Sequence, residues 1–297
     1  MRVAAAAYPL DFFEGWQTYE TKLTEWVKAA VEGGAQILVF PEYGAMELAS
    51  LGGAEVAGDL QGSLREVARH AERHWALTER LARAHGVTIL AASIPHEKTP
   101  GATPVNRAVL FGPDGRIGHQ DKVMMTRFER EQWIVVPGES LTLFDTALGR
   151  IGVCICYDSE FPLLARALCE AGAEILLVPS CTDTHAGFTR VRVGAMARAL
   201  ENQCVAVHAP TVGLAAWCPA VDENWGRAAV YGPADRGWPE TGILAETAMN
   251  APGWCFADIS LDLVRQSRED GGVKPFAHWP EQALPAAHVT IAVTGTQ

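Results

Sequence analysis

The chain has 297 residues, of which 48% are hydrophobic and 20% are charged, a composition that supports a large apolar core and argues against disorder. The net charge is −11 at pH 7 without any Lys/Arg cluster, which argues against nonspecific nucleic-acid binding. No apolar run reaches the roughly 20 residues of a transmembrane helix, and the N-terminal apolar run is interpreted as a strand rather than a signal peptide. Seven scattered cysteines favour reduced thiols and a cytoplasmic location.

The first half of the chain alternates apolar strands with amphipathic helices. The apolar spacing of its helices follows the 3.6-residue period, and its strands are continuous apolar runs typical of buried sheets. A Gly-Pro-Asp-Gly turn at 112–115 marks a hairpin. The predicted elements are a strand at 3–8, a helix at 18–32, a strand at 35–40, a two-part helix at 60–84, and strands at 87–94, 106–111 and 141–145.

The second half repeats this order, which predicts two similar βα units in one domain spanning residues 1–297. Residues 35–41 correspond to 173–179, for example, and each run follows a helix ending in glycine. Two sheets packed face to face with helices outside, a four-layer α-β-β-α sandwich with an internal pseudo-repeat, is the expected α/β fold. A doubly wound parallel sheet is the alternative. Residues 258–264 are expected to begin as a strand, and about 260–297 to form an arm, in a subunit interface or against the body.

Three chemically useful residues stand at the ends of predicted elements. Glu42 directly follows a fully apolar strand, Lys122 follows the hairpin, and Cys156 ends the strand that opens the second half. If the strand ends converge, a thiolate can attack an unsaturated carbon while a carboxylate takes and returns the proton. An ammonium group would offset the negative charge that develops on the substrate.

Each of these residues also has an ordinary structural interpretation. Most free cysteines are small buried core residues, and this is the reading preferred for Cys154. An isolated Glu42 or Lys122 would be a solvated loop residue in most proteins. Cys154 and Cys156 are not followed by a second pair of ligands at metal-binding spacing, so no metal site is expected.

Four motifs in this order resemble the nitrilase superfamily of carbon–nitrogen hydrolases. They are Phe-Pro-Glu at 40–42, Asp-Lys at 121–122, Ile-Cys-Tyr-Asp at 155–158 before Phe-Pro, and Arg-Ala-Leu-Glu-Asn-Gln at 198–203. The resemblance covers nearly the whole chain. It implies the four-layer sandwich, a homodimer or higher homo-oligomer, no cofactor, and Glu42, Lys122 and Cys156 as base, cation and nucleophile.

The resemblance also implies a second glutamate shortly before a Pro-Gly pair, here Pro137-Gly138. The spacing favours Glu131, with Glu129 as the alternative. Arg127, Arg190 and Arg192 are candidate partners for a substrate carboxylate. The residues expected to contact substrate are Tyr43, Trp133, Tyr157, Ser180, Cys181 and Thr182.

The Cys-Tyr-Asp sequence at the nucleophile resembles the amidase and carbamoylase branches more than true nitrilases, which tend to have Cys-Trp-Glu. The expected reaction is therefore hydrolysis of a small amide or N-carbamoyl compound through a thioester, with release of ammonia or an amine. Two alternatives remain: a nitrilase that converts a nitrile to an acid, and a non-catalytic scaffold or binding subunit with the same fold.

Overall fold

A computed structural model describes residues 1–290 and shows a mixed α/β fold, as predicted. The strands of the first half form a twisted sheet in which β1 and β2, and β2 and β3, are parallel. The remaining strands add antiparallel to this core. The strands are β1 (Arg2–Pro9), β2 (Ile37–Val39), β3 (Thr88–Leu90), β4 (Ile94–His96), β5 (Val105–Gly112) and β6 (Gly115–Asp121).

The second half builds a sheet with the same pairing pattern. Strands β8, β9 and β10 are parallel neighbours, and β12 and β13 continue antiparallel from β10. The last strand, β14, returns to pair antiparallel with β1. These strands are β7 (Leu143–Thr146), β8 (Gly149–Val153), β9 (Ile175–Ser180), β10 (Val205–Leu214), β11 (Glu223–Asn224), β12 (Ala229–Tyr231), β13 (Ile243–Glu246) and β14 (Gly253–Asp258).

Helices connect the parallel strands, since a crossover is needed to bring a parallel neighbour back into register. The predicted two-part helix is present as α3 and α4. The helices are α1 (Trp16–Glu32), α2 (Gly53–Ala57), α3 (Leu60–Arg69), α4 (Ala71–His85), α5 (Pro162–Glu170), α6 (His185–Asn202), α7 (Leu261–Asp270), α8 (Pro275–His278) and α9 (Ala283–Ala286).

The two halves are related element by element. The order β1, β2, β3, β5, β6 in the first sheet corresponds to β8, β9, β10, β12, β13 in the second, with the same parallel and antiparallel pairings. The predicted pseudo-repeat is therefore confirmed. The two sheets join where Tyr8 of β1 pairs in parallel with Thr211 of β10.

The alternating side chains of β1 lie in two different apolar clusters. Val3 and Ala5 belong to a cluster that includes strands of the second half, such as Ile151 and Ile175. Alternate positions such as Ala4 pack in a second cluster with the helices of the first half. This division supports sheets packed face to face with helices outside, and the complete four-layer description stays a prediction.

The predicted strand at residues 258–264 is wrong. Asp258 is the last residue of β14, and the side chain of Ser260 accepts a hydrogen bond from the Leu263 backbone N–H and caps α7. A serine before an apolar, helix-spaced run is a helix N-terminus signal that outweighs the short alternation.

The expected C-terminal arm lies partly outside the described residues, because it includes residues 291–297. Of the part within them, Phe276 and Trp279 pack over the guanidinium of Arg166 on α5. Its role in a subunit interface stays a prediction. Within residues 1–290, every helix is too short or too polar to traverse a bilayer.

Candidate active site

Glu42, Lys122 and Cys156 come together although they are far apart in the chain. Glu42 lies just past β2 in the first sheet, Lys122 just past β6, and Cys156 just past β8 in the second sheet. The backbone N–H of Lys122 donates to the carbonyl of Asn106 on β5, and this bond fixes where its side chain begins. The expectation that the three element ends converge therefore agrees with the geometry.

Lys122 lies between two carboxylates in a fully buried site. Its Nζ atom is 2.7 Å from Oε1 of Glu42 and 2.9 and 2.7 Å from the two oxygens of Glu129. The exposed fractions of these residues are 1% for Lys122, 1% for Glu42 and 2% for Glu129. Buried charges persist when they are paired and hydrogen-bonded, as all three are here.

Glu42 is held at both carboxylate oxygens. Oε1 also accepts a hydrogen bond from Nδ2 of Asn106 at 2.9 Å, and Oε2 accepts one from the backbone N–H of Cys181 at 3.0 Å. The thiol of Cys156 lies close enough for the charge of this carboxylate to affect it, and its Sγ atom donates to the carbonyl of Cys181 at 3.8 Å. These contacts fix the orientation that a general base needs toward its proton donor.

Cys156 sits at a strained turn between β8 and α5. Its φ angle of 51° lies in the left-handed region, which is uncommon outside glycine, and a 3₁₀ turn, Cys156–Glu160, begins at this residue. The hydroxyl of Ser159 donates to the carbonyl of Cys156 at 2.7 Å and helps to hold the turn. A strained strand-to-helix corner of this kind presents a nucleophile to a cleft.

Helix α6 packs directly against this turn. The guanidinium of Arg198 donates to the carbonyl of Ser159 at 3.2 Å. A Cβ atom at Gly194 would lie 2.8 Å from the same carbonyl oxygen, so glycine is needed for this close approach. The segment at 198–203 therefore supports the nucleophile turn rather than entering the cavity.

The charges at the site determine the protonation states of the three groups around Lys122. Burial raises the pKa of Glu42, although Lys122 opposes the shift. Burial alone would also raise the pKa of Glu129, but Lys122 outweighs it and holds that pKa below its ordinary value. Burial would lower the pKa of Lys122, yet the charges of Glu129 and Glu42 raise it well above its ordinary value. Lys122 therefore stays charged and Glu129 stays ionised, while Glu42 is the group poised to titrate.

The thiol of Cys156 is protonated in the resting site. Burial and the negative charge of Glu42 raise its pKa well above the ordinary value, and the opposing effect of Lys122 is smaller. A neutral thiol needs a base to become a nucleophile. Glu42 is the carboxylate in position to act on it.

The preference for Glu131 as second glutamate is corrected by the structure. Glu131 points outward and pairs with Arg127 at 2.8 Å, and both side chains are largely solvent-exposed. Glu129 is the residue that contacts Lys122, and the hydroxyl of Tyr43 donates to it at 2.8 Å. Spacing to the Pro-Gly pair selected the wrong one of two glutamates because their side chains point to opposite sides of a π-helical turn, Glu129–Trp133.

A local sequence signal does identify Glu129. Thr126 and Glu129 form a Thr-x-x-Glu pattern in which each side chain bonds the backbone of the other, at 2.8 Å from the Thr126 N–H and 3.4 Å from the Glu129 N–H. This reciprocal pair is a capping box, which turns the glutamate back toward the start of the turn. Glu129 therefore faces Lys122.

The three catalytic candidates open into a cavity of about 610 Å³. Five of the six predicted substrate-contacting residues line it. Ser180 does not, because its side chain is buried against Nε2 of His208 at 2.9 Å. The five lining residues are Tyr43, Trp133, Tyr157, Cys181 and Thr182.

Two parts of the cavity wall were not predicted from the sequence. Residues 219–222, between β10 and β11, form one of them together with Glu223 of β11, and Gly187 and Val191 of α6 contribute to the other. The first segment lies in an extended loop with no motif of its own. No local pattern indicates that it faces the nucleophile.

The cavity wall is rich in carboxylates. Arg127 and Arg190 line it, and Arg190 lies 3.5 Å from Glu160. Arg192, the third candidate for binding a substrate carboxylate, instead pairs with Glu246 at 2.7 Å and does not line the cavity. Further acidic residues at the wall are Asp183, Asp222 and Glu223.

The carbon–nitrogen hydrolase family pattern matches residues 2–269, so this chain belongs to the carbon–nitrogen hydrolase family. The resemblance drawn from the four sequence motifs is thereby confirmed.

Individual relatives agree with this assignment. The chain is 30% identical over 274 residues to the probable hydrolase YhcX of Bacillus subtilis (strain 168). That alignment covers 92% of this chain and 52% of the Bacillus protein. It is 29% identical over 244 residues to omega-amidase NIT2-B of Xenopus laevis, and that alignment covers 76% of this chain and 81% of the Xenopus protein. This chain thus spans about half the length of the Bacillus protein.

The fold is shared with solved structures of the nitrilase superfamily. The crystal structure of Saccharomyces cerevisiae Nit3, a member of branch 10 of that superfamily, superposes with a TM-score of 0.71 at 22% identity. The alignment covers 91% of this chain and 93% of that chain. At this identity the similarity concerns the fold.

Proposed function

We propose that this protein hydrolyses the C–N bond of a small amide or N-carbamoyl compound through a covalent thioester on Cys156. The observation that carries the proposal is the buried Lys122 joining the carboxylates of Glu42 and Glu129 beside the Cys156 thiol. A scaffold protein has no physical reason to retain this set, since burying three charged side chains is costly without a use for them.

In the first half-reaction the Cys156 sulfur attacks the carbonyl carbon and its proton passes to Glu42. The carbonyl oxygen becomes negatively charged, and the ammonium of Lys122 with backbone N–H groups of the turn after Cys156 stabilises it. Glu42 then returns the proton to the leaving nitrogen. The C–N bond breaks, ammonia or an amine leaves, and a thioester remains.

In the second half-reaction Glu42 removes a proton from a water molecule that attacks the thioester carbon. The C–S bond breaks, the sulfur takes the proton back, and the carboxylic or carbamic acid is released. Glu129 holds the Lys122 ammonium in place throughout, because its lowered pKa keeps it ionised. The same carboxylate thus never competes with Glu42 as the base.

Amide hydrolysis is preferred over nitrile hydrolysis because of the Cys-Tyr-Asp sequence at the nucleophile, and the omega-amidase relative supports it. A nitrile would follow a related path through a thioimidate, so the nitrilase alternative stays open to experiment. A cytoplasmic location, a homodimer and organisation as one domain are also proposed, on the family resemblance.

A substrate panel tests the reaction class. We expect ammonia release from small aliphatic amides and N-carbamoyl amino acids, and release at least about tenfold slower from nitriles with the same acyl carbon skeleton. Ammonia is measured by a coupled assay at matched concentrations. Faster turnover of nitriles than amides would reverse the assignment, and no turnover of any compound would favour the scaffold alternative.

The two glutamates near the Pro-Gly pair give a matched pair of variants. Glu129→Gln removes the charge next to Lys122, so kcat is expected to fall by about 10²-fold, the scale for a lost electrostatic contact at such a site. Glu131→Gln removes only an exposed ion pair, worth about 1 kcal/mol or less, and kcat should stay within about twofold. A large loss in Glu131→Gln, with little in Glu129→Gln, would contradict the assigned positions.

A further inference from the structure

We propose that Asp158 is a positioning residue that sets the distance between Lys122 and the Cys156 nucleophile. The inference rests on the proposed function, because it concerns the same reaction. Asp158 is 1% exposed and does not line the cavity, and its carboxylate accepts hydrogen bonds from backbone N–H groups. Its effect is therefore exerted through the two segments that it joins.

The first segment is the chain that directly follows Lys122. Oδ1 of Asp158 accepts hydrogen bonds from the backbone N–H of Met124 at 2.7 Å and of Val123 at 3.1 Å. The backbone of Lys122 is fixed from the other side, since Gly138 donates its N–H to the Lys122 carbonyl at 2.7 Å. Asp158 is thus the side chain that connects this segment to the second half of the molecule.

The second segment is the nucleophile turn itself. Oδ2 of Asp158 accepts a hydrogen bond from the backbone N–H of Ile155 at 3.1 Å, immediately before Cys156. The left-handed φ of Cys156 is unfavourable on its own and persists only where surrounding contacts determine it. One carboxylate therefore anchors both the strained turn and the lysine segment.

Both oxygens are needed for this connection. A carboxylate accepts at two oxygens, whereas a carboxamide accepts at one and donates at the other. In Asp158→Asn, the amide nitrogen would face the N–H of either Met124 or Ile155, so one of these two hydrogen bonds is lost. The Val123 N–H, 3.1 and 3.3 Å from the two oxygens, can keep a weaker contact in either orientation. The substitution preserves size and shape and weakens the link between the two segments.

Ionisation of Asp158 fixes the conditions of the test. Burial raises the pKa of Asp158 to about 7, while the N–H groups of Met124, Val123 and Ile155 and the charge of Lys122 lower it. The doubly accepting carboxylate therefore predominates above that pH. The activity assays of Asp158 variants are therefore run at about pH 8, where Asp158 of the wild type is ionised.

The test compares two reactions of the same cysteine in the full-length Asp158→Asn variant. Amide hydrolysis builds a negative oxygen that needs Lys122, whereas alkylation of Cys156 by iodoacetamide builds none. We expect kcat to fall about 10–100-fold, KM to change less than about threefold, and the alkylation rate to stay within about threefold. A wild-type kcat, or equal losses in kcat and alkylation, would overturn the proposal.

Two further variants separate positioning from folding. Ser267→Ala removes a buried hydroxyl that accepts from Nε1 of Trp238 at 2.8 Å, away from the cavity, and should lower the melting temperature without changing kcat. If Asp158→Asn is not recovered folded, Asp158→Ser replaces it, because its shorter side chain leaves room for a water molecule to bond the freed N–H groups. Cys156→Ala is assayed in parallel: activity there would refute the proposed nucleophile independently of the result at Asp158.

Discussion

Replacement of Cys156 by alanine is expected to reduce amide hydrolysis to the uncatalysed background. Loss of a covalent nucleophile that works with a paired base typically costs on the order of 10⁴–10⁶-fold in kcat. The remaining groups cannot replace it, since Glu42 and Lys122 act on the bond that the sulfur forms. The measurement is ammonia release under single-turnover and steady-state conditions.

The fold should survive this substitution. One buried sulfur atom is removed from a residue that is 4% exposed, so the free energy of unfolding should change by about 1 kcal/mol. Cys154→Ala is the matched control, because Cys154 is equally buried two residues earlier and packs in the apolar core. That variant should lose comparable stability and keep its kcat.

Chemical labelling provides a separate check on the nucleophile. Cys156 and Cys181 both line the cavity. Cys156 has the carboxylate of Glu42 as a base, whereas the thiol of Cys181 donates to Oδ1 of Asn224 at 3.4 Å. We expect iodoacetamide to modify Cys156 first in the native enzyme, as mapped by peptide mass. Labelling of Cys181 first, or wild-type turnover by Cys156→Ala, would show that a residue other than Cys156 is the nucleophile.

The sequence predicted the catalytic candidates because reactive side chains stand at the ends of predicted strands. Lys122 stands one residue past β6, and Glu42 and Cys156 stand three residues past β2 and β8. The edge of a sheet brings such positions together. The internal repeat was also readable, since continuous apolar strands and glycine-ended helices recur in the same order. Both features depend on local patterns of a few residues.

The site residues that the sequence did not predict correctly depend on which way a side chain points or on contacts between distant segments. The choice between Glu129 and Glu131 required the capping box at Thr126, which decides the side of the turn that each glutamate faces. Ser180 ends β9 with its side chain turned to His208 instead of the cavity. Strand position alone could place it near the site without saying which face it occupies.

Asn106 and Asp158 illustrate a second limit. Asn106 is 64 residues from Glu42, whose carboxylate it holds, and Asp158 is 34 residues from Met124. Neither pair follows from periodicity, because hydrogen bonds between distant segments are fixed only when the sheets have assembled. Residues that support a site are therefore harder to predict than those at its centre.

Replacement of Lys122 by methionine is the second substitution expected to have a large effect. Losing one donor to a developing oxyanion typically lowers the rate by about 10²–10³-fold. The loss also leaves the buried carboxylates of Glu42 and Glu129 without their cation, and breaking such a pair costs about 3–5 kcal/mol of stability. Both kcat and the midpoint of urea unfolding should be measured.

Two companion variants distinguish the electrostatic role from a general loss of structure. Lys98→Met removes a partly exposed lysine whose one ion pair, with Asp121, is long at 3.7 Å. An ion pair of this kind contributes little, so neither kcat nor stability should change appreciably. The double variant Lys122→Met/Glu129→Gln removes one of the stranded carboxylates. It should regain part of the lost unfolding free energy and none of the lost rate.

The pH dependence of the same variants tests the coupling within the triad. Glu42 must be ionised to act as base, so kcat/KM falls as the pH decreases through its pKa, which burial raises. Lys122 lowers this pKa and Glu129 raises it. The acid limb should therefore move to higher pH in Lys122→Met and to lower pH in Glu129→Gln. Shifts in the opposite directions, or an acid limb that Glu129→Gln does not move, would mean that a group other than Glu42, such as Asp158, controls the acid limb.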